Sequence, residues 1–189
     1  MALEPSRHDL VIVPVKLSPL SYAGVMTQSF DVSTGVDLQE VDNAVNQARR
    51  EISNRFDFKN VVAEIDFDRL AHRLTVRTAD EFKVEAIWQA LEQRFRARSV
   101  SLKNLKRRGV EKAGGNTVRQ VIDITQSIDA DTARKIVKFL KDRNYKKVQS
   151  SIQGDEVRVS APSRDELQAV IADLGSADWG MELRFGNFR

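Results

Sequence analysis

The chain has 189 residues, no cysteine, 30 % charged residues and a formal net charge of +3. That length allows one large or two small domains with enough core to need no disulfide or metal. The absence of cysteine excludes a disulfide framework, a thiolate metal site and a thiol nucleophile, and suits a cytoplasmic protein.

The first 25 residues hold three of the four prolines, Pro5, Pro14 and Pro19. Their apolar stretch, 10–15, is interrupted by Pro14 and is too short for a bilayer or a secretory signal. We read 1–25 as a disordered extension, with Met26 as a candidate start of translation. Residues 30–34 then read as a strand. Asp37 caps a helix over 38–55, with Glu40 placed for a capping box and Val41, Ala44, Val45, Ala48 and Ile52 on one face. Strands follow at 61–67 and 74–78, then a helix over 80–95 with Phe82, Ile87, Leu91 and Phe95 inward, then a closing strand at 100–105. Residues 106–116, "KRRGVEKAGGN", are basic and glycine-containing without apolar period, and read as a linker.

The same order then recurs. A strand at 121–125 precedes a helix capped by Asp129 with Ala133, Ile136, Val137 and Leu140 inward. Strands at 147–153 and 156–161 flank the turn pair Gly154-Asp155. Ser163 caps a last helix to about 174, and 181–188 closes the unit. "FDVSTGVD" (30–37) and "IDITQSID" (122–129) correspond at a spacing of 92 residues. The fold class is therefore α+β, a tandem of two ferredoxin-like βαββαβ units at 26–105 and 117–189. Their common topology leaves open whether terminal strands are exchanged between them.

Alternation turns Phe30 and Val32 to the core and Asp31 and Ser33 to the open face. Arg73, Thr75 and Arg77 face out on the third strand. First and third strands are neighbours in this topology, so Asp31 is expected beside those arginines, and Asp123 beside Arg158. A surface ion pair worth under ~1 kcal/mol is the simpler account; the functional one is a platform on which a carboxylate orients guanidinium groups toward phosphate.

Positive charge is segregated. Residues 98–119 and 134–147 each contribute a net +6, leaving −9 elsewhere. Arg134, Lys138 and Lys141 share a helix face opposite Ile136, Val137 and Leu140. Such stripes suit polyphosphate or nucleic-acid backbone, or are simply a solvated face. The ribonucleoprotein mode, with bases stacked on central-strand aromatics, lacks outward aromatics here. "GVEKAGGN" has Gly115-Asn116 where a phosphate loop needs Lys-Ser/Thr. His8 and His72 have no partners for a triad or metal site. No catalytic or metal-binding residue and no cofactor is assigned, and the chain reads as non-enzymatic.

Four stretches resemble the bacterial YajQ family: "SFDVSTGVDLQEVDNAVNQARREISNRFDFKN" (29–60), "ARKIVKFLKD" (133–142), "IQGDEVRVSAPSRDELQAVI" (152–171) and "FGNFR" (185–189). Thr34-Gly35 departs from a more usual Ser-Glu, and residues 94–116 match poorly. The resemblance implies two tandem ferredoxin-like domains and a cytosolic nucleotide-binding protein, with a regulatory role in some members. GTP and tRNA are ascribed to some members and cyclic di-GMP to others. Arg77, Lys106, Arg107, Arg108, Arg134, Lys138 and Lys141 are the expected phosphate ligands. The rival reading is a structural module that binds a protein partner and no nucleotide. A membrane partner is not expected.

Overall fold

The computed structural model describes residues 27–145 and 147–189. The expected extension and the candidate start at Met26 lie outside them. The elements, in order, are β1 (Gln28–Thr34), α1 (Leu38–Asn54), β2 (Ala63–Asp68), β3 (Arg73–Thr78), α2 (Glu81–Ala97), β4 (Leu105–Ala113), β5 (Thr117–Ile124), α3 (Ala130–Asp142), β6 (Gln149–Gln153), β7 (Glu156–Ala161), α4 (Arg164–Ser176) and β8 (Leu183–Gly186). They form two antiparallel four-stranded sheets. Sheet I has the order β2-β3-β5-β4 and sheet II the order β6-β7-β1-β8. Each has the ferredoxin-like arrangement, with two helices closing one face over its own core. Among the described residues no helix is long and apolar enough to cross a membrane.

The first strands of the two repeats are exchanged. β1 is central in sheet II, between β7 and β8, and β5 is central in sheet I, between β3 and β4. The cause is the stretch expected to be a linker. Leu105–Ala113 is strand β4, and Gly114-Gly115-Asn116 is the turn that joins it to β5. Gly115 and Asn116 take positive φ, 69° and 54°, as a tight reversal requires. So short a turn holds β5 against β4, in the slot that β1 would fill within its own repeat. β1 then fills the slot left open beside β7. The expected closing strand at 100–105 is displaced for the same reason: Leu102–Asn104 is a 3₁₀ turn, and the strand begins at Leu105. Charge concealed β4, and so did a bulge between Arg107 and Val110 that breaks its two-residue period.

The cores follow the expected faces with one exception. Phe30, Val32, Val41, Ala44, Val45, Ala48, Ile52, Ile87, Leu91 and Phe95 are buried, but Phe82 is 89 % exposed. The buried face of α2 runs through Val84, Ile87, Leu91 and Phe95, and Phe82 is off that stripe. Asp37 and Asp129 cap their helices by accepting from Gln39 N and Glu40 N, and from Asp131 N and Thr132 N. Glu40 does not complete a capping box; its carboxylate accepts from Arg98 Nη1 at 2.7 Å.

The two crossovers, β1 to α1 and β5 to α3, run side by side. The Gln126 side chain accepts from Val36 N at 3.3 Å and donates to Val36 O at 3.1 Å. Gly35, at φ +131°, lets this approach happen: a Cβ there would lie 2.8 Å from Gln126 Oε1 and 3.2 Å from its carbonyl oxygen. Fully buried Asn104 clasps the junction. Its Nδ2 donates to Thr34 Oγ1 and Thr125 O, and its Oδ1 accepts from Glu182 N. One amide thereby ties both crossovers to the approach to β8.

Candidate nucleotide-binding face

Each sheet leaves one face open, and alternation decides what stands there. On sheet I, β3 presents Arg73, Thr75 and Arg77, and β5 presents Arg119, Val121 and Asp123. Register places Arg73 and Lys106 on either side of Asp123. Asp123 accepts from Arg108 Nε at 2.6 Å and Nη2 at 3.0 Å, and from Arg73 Nε at 3.3 Å. These bonds, chiefly those from Arg108, hold its carboxyl below the usual aspartate range. The bulge that ends the regular register of β4 turns Arg108 toward this carboxylate. Arg73 and Arg108 keep 44 % and 55 % of their side-chain surface exposed. Two guanidinium groups thus bond one carboxylate, with Lys106 its Cα partner on β4 and Asp68 the Cα partner of Arg73 on β2, and the guanidinium edges stay partly open to a ligand.

On sheet II the corresponding Asp31 faces Arg158, its Cα partner on β7. The sequence placed Asp31 beside Arg73 and Arg77, and Asp123 beside Arg158. Strand exchange reverses both pairings. Arg158 donates to Asp31 at 2.8 and 3.0 Å, and Asn187 adds a bond at 3.2 Å. Asp31 is only 3 % exposed, and Arg158 above all holds its carboxyl low. Asn187 reaches it from an αL position just after β8, at φ 51°.

The expected phosphate ligands divide into three groups. Arg77, Lys106 and Arg108 share the open face of sheet I. Arg77 bonds Thr117 Oγ1 and Gly114 O, which ties it to the β4–β5 turn. Arg107 is on the opposite face: it bonds Glu85 and Gln120, and its guanidinium lies 4.8 Å from the Trp88 ring centroid. Arg134, Lys138 and Lys141 are exposed on α3, over sheet II. Arg134 is held by Asp131 at 2.8 Å, whereas Lys138 and Lys141 have no ion-pair partner among the described residues. Arg73 and Asp123 are legible in the sequence as outward residues. Pattern alone does not join them into one cluster, because it assigns β5 to the other sheet.

The central strands of both sheets carry no aromatic side chain on the open face, so base stacking of the ribonucleoprotein kind has no platform there. A cleft between the halves, lined by Ser101, Lys103, Trp179 and Met181 among others, measures about 280 Å³. That is below the roughly 300–1,000 Å³ of typical small-molecule sites.

The family model described as "Nucleotide-binding protein YajQ-like" matches residues 28–189. A protein from Heliobacterium modesticaldum called "Nucleotide-binding protein" is 46 % identical over 161 residues, covering 85 % of this chain and 96 % of the relative. One of the same description from Chloroherpeton thalassium is 42 % identical over 163 residues, covering 86 % and 98 %. A Bacillus cereus relative, also described as a nucleotide-binding protein, is 44 % identical over 161 residues, covering 85 % and 97 %. By the family match and by these identities, the chain belongs to the YajQ-like family.

Proposed function

We propose that this chain is a non-enzymatic, cytoplasmic protein that binds nucleotide phosphates, and that the open face of sheet I receives them. The ligand classes are a free nucleotide, such as GTP or cyclic di-GMP, and the backbone of an RNA such as tRNA. The supporting observation is the cluster of Arg73, Lys106 and Arg108 around Asp123, with guanidinium edges oriented by the carboxylate yet exposed. Arg77 flanks it, and Arg134, Lys138 and Lys141 on α3 form a second basic row for a longer polyanion. The names of the relatives support the same class.

The test is calorimetric titration with GTP, cyclic di-GMP and tRNA at two salt concentrations, with the wild type, Lys106→Glu/Arg108→Glu and Lys138→Glu/Lys141→Glu. The sheet I variant should bind at least about tenfold more weakly. For RNA, its log–log salt slope should become shallower by about 0.7 for each phosphate it no longer neutralises. Weakened binding in the α3 variant alone would move the site to that helix. Silence with every ligand would overturn the reading and favour a protein-interaction module. The exposure of Phe56 and Phe82 supports that alternative.

A further inference from the structure

The bulge on β4 sits between two consecutive arginines and their different fates. Arg107 is the Cα partner of Ile122 and Val110 that of Gln120, so Arg108 and Gly109 together oppose Val121. Arg107 turns to the helix side, where it bonds Glu85 and lies 4.8 Å from the Trp88 ring centroid. Arg108 turns to the open face and bonds Asp123. A bulge interrupts the ladder and leaves backbone groups that the facing strand does not pair.

Gln120 stands behind this break. It is a polar side chain on the core side of β5, 5 % exposed, with Val76 as its Cα partner on β3 and Val110 on β4. Burying an amide there costs free energy unless both of its ends are bonded. Here both are: Nε2 donates to Arg108 O at 2.8 Å, and Oε1 accepts from Arg107 Nε at 3.0 Å. One side chain therefore holds the peptide that follows Arg108 and keeps the Arg107 guanidinium on the helix side. Arg108 has 55 % of its side chain exposed, so packing does not fix it. Its aim is set by the backbone beneath it and by Asp123 beside it. A guanidinium aimed before the ligand arrives spares the cost of ordering it on binding.

We infer that Gln120 is a positioning residue of the sheet I face: it acts through the Arg108 carbonyl to aim Arg108 at a ligand phosphate, and touches no ligand itself. The inference rests on the nucleotide reading of that face.

The first test needs no ligand. It follows the Arg108 Nε–H signal in a proton–nitrogen correlation spectrum, which the bond to Asp123 shifts and shields from exchange. Gln120→Met keeps the length of the side chain without its amide. It should move the Arg108 signal toward that of a free arginine and leave the Arg158 signal on sheet II in place. Gln120→Glu keeps the acceptor for Arg107 and loses the donor to Arg108 O, and should do the same. An Arg108 signal unchanged in either variant would overturn the inference.

The second test is a double-mutant cycle read by titration with GTP, cyclic di-GMP and tRNA. Arg108→Ala should bind about tenfold more weakly, the worth of one charge-assisted bond. Gln120→Met should bind several-fold more weakly, and the double variant no worse than Arg108→Ala alone, because Gln120 acts through Arg108. Losses that multiply, or a Gln120→Met variant that binds as the wild type does, would overturn the inference. A wild type that binds none of the three probes, with the Arg108 signal still moved by Gln120→Met, would sink the nucleotide reading and not the placement of Arg108 by Gln120.

Discussion

Sheets I and II carry the same carboxylate on the same strand position, Asp123 and Asp31, and surround it differently. Asp31 is sealed, with Arg158 and Asn187 taking its oxygens and almost no surface left. Asp123 keeps 33 % of its side chain exposed and gathers two arginines that are themselves exposed. A duplicated motif has therefore been closed on one sheet and left open on the other. The closed copy contributes to the fold. The open copy retains charge in a position where a phosphate can displace water rather than protein.

The largest effect should come from the junction that the two sheets share. Asn104→Ala removes three hydrogen bonds from a fully buried site and strands Thr125 O and Glu182 N. We expect a loss of about 2–3 kcal/mol in urea unfolding. A single transition would show the halves still coupled, whereas two transitions would show that the clasp makes them one cooperative unit.

The two carboxylates come next. Asp31→Ala should cost about 2 kcal/mol, because it leaves Arg158 without its carboxylate. Asp123→Ala should cost less than about 1 kcal/mol, being an exposed pair. Equal costs would break the distinction between sealed and open. Acid sharpens it. The folded pKa of Asp31 is depressed, so its contribution is complete at neutral pH and fades as pH falls from the ordinary aspartate value, about 3.9, through the lower folded value. Asp31→Asn should therefore lower stability at neutral pH and flatten the acid limb of the stability–pH curve.

A local effect is expected at the crossover. Gly35→Ala meets Gln126 in a backbone region that side chains rarely adopt, and should cost about 1 kcal/mol by the same assay. The counterpart position in the other crossover, Ser127, should tolerate alanine.

Much of this is legible in the chain. Alternation identifies Phe30 and Val32 as core and Asp31 as outward, capping finds Asp37, Asp129 and Ser163, and Gly154-Asp155 marks its hairpin. What stays hidden is a choice between equivalents. "FDVST" and "IDITQ" each fit either central slot, so local pattern cannot say which sheet takes which. The deciding feature is β4, and its strand period is broken at Arg108-Gly109 and overlaid with cations. The site is hidden by the same route: Arg73, Lys106 and Arg108 are visible as basic residues, but Asp123, which gathers them, reads as part of the other sheet.

The exchange also bears on how the chain is made. β1 emerges early from the ribosome, yet its partners lie at 157–161 and 183–186, and Asp31 waits 127 positions for Arg158. Until then its apolar side, Phe30 and Val32, has no sheet to enter. The first repeat cannot fold alone either, because its central strand is β5, beyond its own closing strand. Sheet I can close once Ile124 is made, but sheet II must wait for β8 near the end of the chain, so β1 stays unpaired for most of translation.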